Sequence, residues 1–104
     1  MWHLYVLELE HGCYYIGITL NIEKRFNEHL VGAGANFTRA HKPLRIIEKL
    51  CCDTEDRDLA AKIENAKTLE YAMKYGGDKV KGGMYFIPSK LIRKVKLAKS
   101  HQTN

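Results

Sequence analysis

Two tyrosines, an arginine and a histidine near the start of this chain are spaced so that they can serve phosphodiester chemistry. Tyr5 ends His3-Leu4-Tyr5, Tyr15-Ile16-Gly17 follows ten residues later, and Arg25 and His29 come one helical turn apart. A phenolic oxygen can position or deprotonate a water, and a guanidinium fork matches phosphate geometry. Hydrolysis needs an activated water, a counter-charge for the developing phosphorane and neutralisation of the leaving oxygen. Tyr5 or Tyr15 can meet the first need if a neighbouring cation lowers its pKa. Arg25 can meet the second. Mg2+ requires only one or two protein carboxylates beside waters. The best placed carboxylate is Glu64, in Ala60-Ala61-Lys62-Ile63-Glu64, one residue from an apolar position and so at the border of a buried face. Glu70 lies about 240° further round a continuous helix and can share that face only if the helix breaks between them.

None of these residues is decisive alone. Tyrosine suits any half-buried strand. Arginine and histidine at i, i+4 often form a solvated helix face, and a single glutamate commonly has no special task. The Gly32–Gly34 stretch lacks the phosphate-loop pattern, and no strand directly feeds it. Phe37 reads as a core plug more readily than as a base-stacking ring. His11 belongs to a turn and His101 to the tail; neither takes a role.

The elements that must hold these groups are legible in the apolar pattern. Residues 4–9 and 13–18 read as a β-hairpin across Glu10-His11-Gly12. With the turn centred on His11, Tyr5, Leu7, Cys13, Tyr15 and Gly17 share one face, and the two tyrosines sit diagonally across the pair. Asn21 caps a helix from about Ile22 to Leu30. Its apolar stripe is Ile22, Phe26 and Leu30, with Arg25 and His29 alongside, stems against the sheet and tips wet. Residues 31–42 read as a small-residue loop, and Pro43 to Leu50 as a third strand. Asp53 or Thr54 caps a helical pattern reaching about Tyr75, with a break near Lys67-Thr68 allowed and Gly76-Gly77 ending it. A Val80–Gly83 turn, the Met84–Ile87 segment, a last helix from Ser89 to about Lys99 and a frayed tail at 100–104 complete the chain.

At 104 residues the chain reads as one domain, 1–104, large enough for a core without metals or disulfides. A mean hydropathy of -0.36 and the lack of a long apolar run argue against a membrane span. No signal peptide is evident, and three cysteines without a C-x-x-C point to free thiols in an intracellular, reducing compartment and away from structural zinc. The net charge of +5 is compatible with a nucleic-acid partner. Its distribution nominates Arg39, Lys42, Lys90, Arg93 and Lys94 as nucleic-acid contacts.

The joint pattern Tyr5…Tyr15-Ile16-Gly17…Arg25-x-x-x-His29…Glu64 resembles the GIY-YIG endonuclease family. Gly34-Ala35-x-x-Thr38-Arg39-x-x-Lys42-Pro43-Leu44 is similar to the loop and third strand of many stand-alone members. Tyr75-Gly76…Val80-Lys81-Gly82-Gly83-x-Tyr85 looks like a branch with a Val-Arg-Gly-Gly type motif. The resemblance implies an α+β fold with a small three-stranded, mostly antiparallel sheet flanked by helices, in the order β-β-α-β-α-α. It also implies an endonuclease using one divalent metal ion at Glu64, normally Mg2+ with Mn2+ as an alternative. Tyr5 and Tyr15 would work with the attacking water, Arg25 would stabilise phosphate charge, and His29 would assist proton transfer or orient a tyrosine. Gly17 would let the strand approach substrate. The chain departs from the family in having His-Leu-Tyr for Gly-Ile-Tyr and no asparagine in Met84–Ile87. The expected substrate is DNA, branched or otherwise structured, with targeting by the chain's own basic surface or by a protein partner. The alternative is a non-catalytic nucleic-acid-binding module on the same fold. The sequence leaves the oligomeric state open.

Overall fold

In the computed structural model, which describes residues 1–82, the alternating apolar run at the start forms strands β1 (His3–Leu9) and β2 (Cys13–Thr19). A single 3-10 turn, Glu10–Gly12, joins them, and His11 and Gly12 take left-handed conformations at φ 66° and 68°. Glycine adopts that region freely, and histidine does so more readily than β-branched residues. The pairing Leu9 with Cys13, Leu7 with Tyr15 and Tyr5 with Gly17 is the register expected from a turn centred on His11.

Helix α1 (Ile22–Leu30) starts as its cap requires, the Asn21 side chain accepting the N–H of Lys24. Its buried side differs from the expected stripe. His29 is only 1% exposed, whereas Leu30 is half exposed. Arg25 keeps the flanking position, about one third exposed.

Three features correct the expected architecture. The segment 31–42 is not all loop, because Asn36–Ala40 forms a short helix, α2, ahead of β3 (Pro43–Cys51). Helix α3 (Arg57–Tyr75) begins after an Asp56 cap rather than at 53 or 54, and runs unbroken past Lys67-Thr68. Continuity keeps Glu70 off the face that carries Glu64. Val80–Gly82 is a strand, β4, rather than a turn. The sheet is therefore four-stranded and mixed, in the order β3-β1-β2-β4, with β4 parallel to β2 and the other pairs antiparallel. The element order is β-β-α-α-β-α-β. The α+β class stands. The expected last helix, the frayed tail, and Lys90, Arg93 and Lys94 lie outside the described residues.

The central strands β1 and β2 are buried on both faces, whereas the edge strand β3 is largely exposed. Leu4, Val6, Ile16 and Val80 pack with Ala60 and Ala72 of α3 on one side. Tyr5, Leu7, Leu9, Cys13 and Tyr15 form the other core, against Ile22 and Phe26 of α1 and Phe37 of α2. Phe37 thus packs partly buried against this core, as the sequence reading expects. No helix among the described residues is long and apolar enough to cross a membrane.

Candidate active site

The site residues converge because small residues let two helices come unusually close to the sheet. In α3 the buried stripe is Ala60, Glu64, Thr68 and Ala72, so Glu64 lies within the buried face and not at its border. A Cβ on Gly82 would stand 1.9 Å from Thr68 Oγ1, so only glycine on β4 admits the helix at this distance. Thr68 in turn donates its hydroxyl to the Glu64 carbonyl at 2.7 Å. Strand β4 pairs with Tyr14, Tyr15 and Ile16 of β2 and goes no further in the described residues. Just beyond, the backbone N–H of Ile18 faces the Glu64 carboxylate.

Glu64 is 4% exposed and has no ion pair among the described residues. Burial pushes its pKa up to about 7, against which the Ile18 N–H and the Arg57 charge act only in part. Its negative charge reaches both phenols, opposing ionisation of Tyr5 and Tyr15.

On the opposite face, Tyr5 and Tyr15 are 1% and 4% exposed, with ring centroids 6.2 Å apart. The Tyr5 phenol occupies the space left by the missing side chain of Gly17, where a Cβ would stand 2.4 Å from Tyr5 Oη. Gly17 therefore makes room for Tyr5, a role distinct from the substrate approach expected of it. The Tyr5 Oη lies 3.0 Å from His29 Nε2, and His29 Nδ1 lies 2.9 Å from Thr38 Oγ1. The Thr38 hydroxyl donates to the Ala35 carbonyl at 2.9 Å. Having spent its proton there, Thr38 can only accept from His29, so Nδ1 carries the imidazole hydrogen and Nε2 accepts from the Tyr5 hydroxyl. Burial and the nearby Arg25 charge lower the His29 pKa to about 4, so this imidazole is neutral at pH 7. The Arg25 guanidinium borders both phenols and pairs with Glu28 at 3.6 Å. Desolvation nevertheless holds both tyrosines above the ordinary phenol pKa. The cation alone does not make a phenolate here.

Tyr5, Tyr15, Arg25 and His29 thus gather on one face of the sheet, and Glu64, held by α3 on the other, lies within electrostatic reach of both phenols. Arg39 and Lys42 are exposed on α2 and the loop after it; the Arg39 guanidinium bonds the Asn36 side chain. Thr38, which orients His29, was not singled out from composition. The signal for it was the Gly34…Thr38 spacing, whose Gly34 proves equally specific. A Cβ at position 34 would stand 2.2 Å from His29 Nδ1. Gly34→Ala should therefore displace the imidazole and destabilise the fold by about 1–3 kcal/mol; an unchanged denaturation midpoint would refute that packing.

Among the described residues of this site, Glu64 is the carboxylate that a divalent cation could use. Among the described residues no three His, Cys, Asp or Glu side chains group together. Glu64 is a single hard oxygen donor, buried, without an ion pair among the described residues and only partly compensated by the Ile18 N–H and the Arg57 charge. That suits an ion keeping most of its waters.

The model of the GIY-YIG catalytic domain matches residues 1–75. Among curated proteins the chain is similar to UPF0213 protein H16_B0156 of Cupriavidus necator, 46% identical over 63 residues that make up 61% of this chain and 68% of that protein. UPF0213 protein XCC3072 of Xanthomonas campestris is 52% identical over 46 residues, 44% of this chain and 45% of that protein. UPF0213 protein FN1575 of Fusobacterium nucleatum is 36% identical over 64 residues, 62% of either chain. The matches thus span from under half to about two thirds of these relatives, whose names state no activity. No solved structure matches the chain.

Proposed function

The chain belongs to the GIY-YIG family, whose catalytic domain implies nuclease-type activity, and from that premise we propose a divalent-metal-dependent endonuclease that hydrolyses phosphodiester bonds in DNA. The observation that carries the reading is Glu64: a carboxyl 4% exposed, raised to about pKa 7, without an ion pair among the described residues, and with a charge that reaches both phenols. Burying a carboxylate without a partner is costly. A bound cation removes that cost.

Mg2+ is the proposed ion, with Mn2+ as a substitute, and Glu64 is its protein ligand. When bound, it would polarise the phosphate and neutralise charge at the leaving oxygen. The chain's own groups do the remainder. Tyr5 donates its proton to His29 Nε2 with Arg25 beside its oxygen, and its remaining lone pair is assigned to the attacking water. As the water oxygen bonds to phosphorus, its proton passes to Tyr5 Oη and the phenolic proton to His29 Nε2. The P–O bond breaks with its electron pair on the leaving oxygen. Thr38 holds His29 in the tautomer that this relay requires. The anionic phosphate favours the imidazolium that forms, offsetting the Arg25 charge. Of the two tyrosines, Tyr5 has the acceptor and is the proposed base; Tyr15 packs at 4.9 Å from His29 and limits where the substrate can sit. Arg25 forks onto the non-bridging oxygens. Exposed Arg39 and Lys42, with Lys90, Arg93 and Lys94, are proposed to hold the flanking backbone. Three free thiols, Cys13, Cys51 and Cys52, fit an intracellular setting.

Arg25→Lys keeps the charge but loses the fork, and should lower the cleavage rate by about 10²-fold with the far-UV CD unchanged. The proposal is tested on supercoiled plasmid: nicked with Mg2+, intact with EDTA, and intact with Glu64→Ala. Tight, salt-sensitive DNA binding without nicking under any divalent ion would favour the non-catalytic module.

A further inference from the structure

At the opposite end of the hairpin two histidines that the nuclease reading leaves unused face each other. His11 sits in the turn after β1 and His41 caps the C-terminus of α2, its N–H bonded to the Phe37 carbonyl. Their Nδ1 atoms are 3.0 Å apart, with the rings edge to face at 5.2 Å between centroids. The two backbones are already tied together, because the Glu10 N–H donates to the Lys42 carbonyl at 2.9 Å. Phe37 packs on the His41 ring at 4.9 Å, and His11 holds a left-handed φ of 66°. Both imidazoles are thus presented by a fixed frame, which lowers the entropy lost on sharing a ligand.

We propose that His11 and His41 form a binding site for a divalent late first-row transition ion, Ni2+ or Cu2+, through both Nδ1 atoms. With metal–nitrogen bonds of about 2.1 Å, two ligands at a right angle stand about 3.0 Å apart, and tetrahedral ligands about 3.4 Å. The observed separation matches the right-angled arrangement, which octahedral or tetragonal Ni2+ and Cu2+ adopt. Without an ion, one ring must donate its Nδ1 hydrogen to the other. Binding asks that ring to move its hydrogen to Nε2 and both rings to turn off the N–N line so that their Nδ1 lone pairs converge on the ion. Water fills the remaining positions at this exposed site. The Lys79 ammonium, 3.4 Å from the His11 carbonyl, opposes the ion's charge. Affinity therefore falls in the range of a two-ligand site. The ion would tie the hairpin turn to α2, the helix whose Thr38 holds His29.

The test uses tag-free full-length protein titrated with NiCl2 and with CuSO4, followed by calorimetry and by the thermal midpoint. Saturating Ni2+ should raise the midpoint of the wild type by several degrees. His11→Asn, which tolerates the left-handed conformation, and His41→Gln should each weaken binding about tenfold or more and remove the rise. An equal rise in both variants would place the ion elsewhere, and no rise in the wild type would overturn the site outright. A Mg2+ response kept in both variants reports on Glu64, so failure here leaves the nuclease reading untouched.

Discussion

Glu64→Gln should abolish Mg2+-dependent nicking, by about 10³-fold or more, while making the metal-free protein more stable above pH 7. The rate follows from losing the only protein ligand proposed for the cation, whose charge stabilisation amounts to several kcal/mol. The stability follows from linkage. The Glu64 pKa is raised from 4.5 unfolded to about 7 folded. Between those values the folded state holds more protons than the unfolded state, so stability falls as pH rises, and the deficit is complete above pH 7. His29 works in the opposite sense. Its folded value of about 4 lies below 6.5, so its neutral form favours folding above pH 6.5 and that advantage is lost as pH falls toward 4. In the wild type the two slopes oppose each other between about pH 4.5 and 6.5. Glutamine, an uncharged isostere, removes one of them. The gap between variant and wild type should widen by about 1 kcal/mol per pH unit from pH 4.5 to 7 and then level off. Thermal midpoints across that range check this, and a constant gap would contradict the buried carboxyl.

Tyr5→Phe should cost about 10²- to 10⁴-fold in single-turnover cleavage, because it removes the proposed proton acceptor but keeps the ring over Gly17. It also leaves the buried His29 Nε2 without its donor, at about 1–3 kcal/mol of stability. Tyr15→Phe retains the whole Tyr5–His29–Thr38 chain and should cost less in rate. If Tyr15→Phe proved the slower enzyme, the base would have to be reassigned.

Local chemistry was readable where one residue type decides it. The His11-centred turn dictates the register that sets Tyr5 diagonally from Tyr15, and Asn21 marks the start of α1. What periodicity could not show was depth. His29 looked like a flanking, wet-tipped residue, yet it is buried, because α2 folds over it and Thr38 satisfies its second nitrogen. Glu64 looked marginal to the buried face, yet its neighbours Ala60, Thr68 and Ala72 are too small to register as an apolar stripe. Strand β4 escaped notice for a related reason. Three residues ending in glycine carry no strand signal, and its worth lies in the space Gly82 leaves for Thr68. Helix α2 was hidden by a run of glycine and alanine whose value is likewise the room Gly34 leaves beside His29. Close approach is encoded by what these residues lack, and hydrophobic pattern does not see it.

The central claim is that a cation settles on the carboxyl of Glu64, and a carbon-detected NMR titration of that side chain tests it most directly. Without divalent ions the carboxyl should titrate near pH 7, and with saturating Mg2+ its midpoint should move to markedly lower pH. A midpoint in the ordinary carboxylate range that Mg2+ leaves in place would contradict the account.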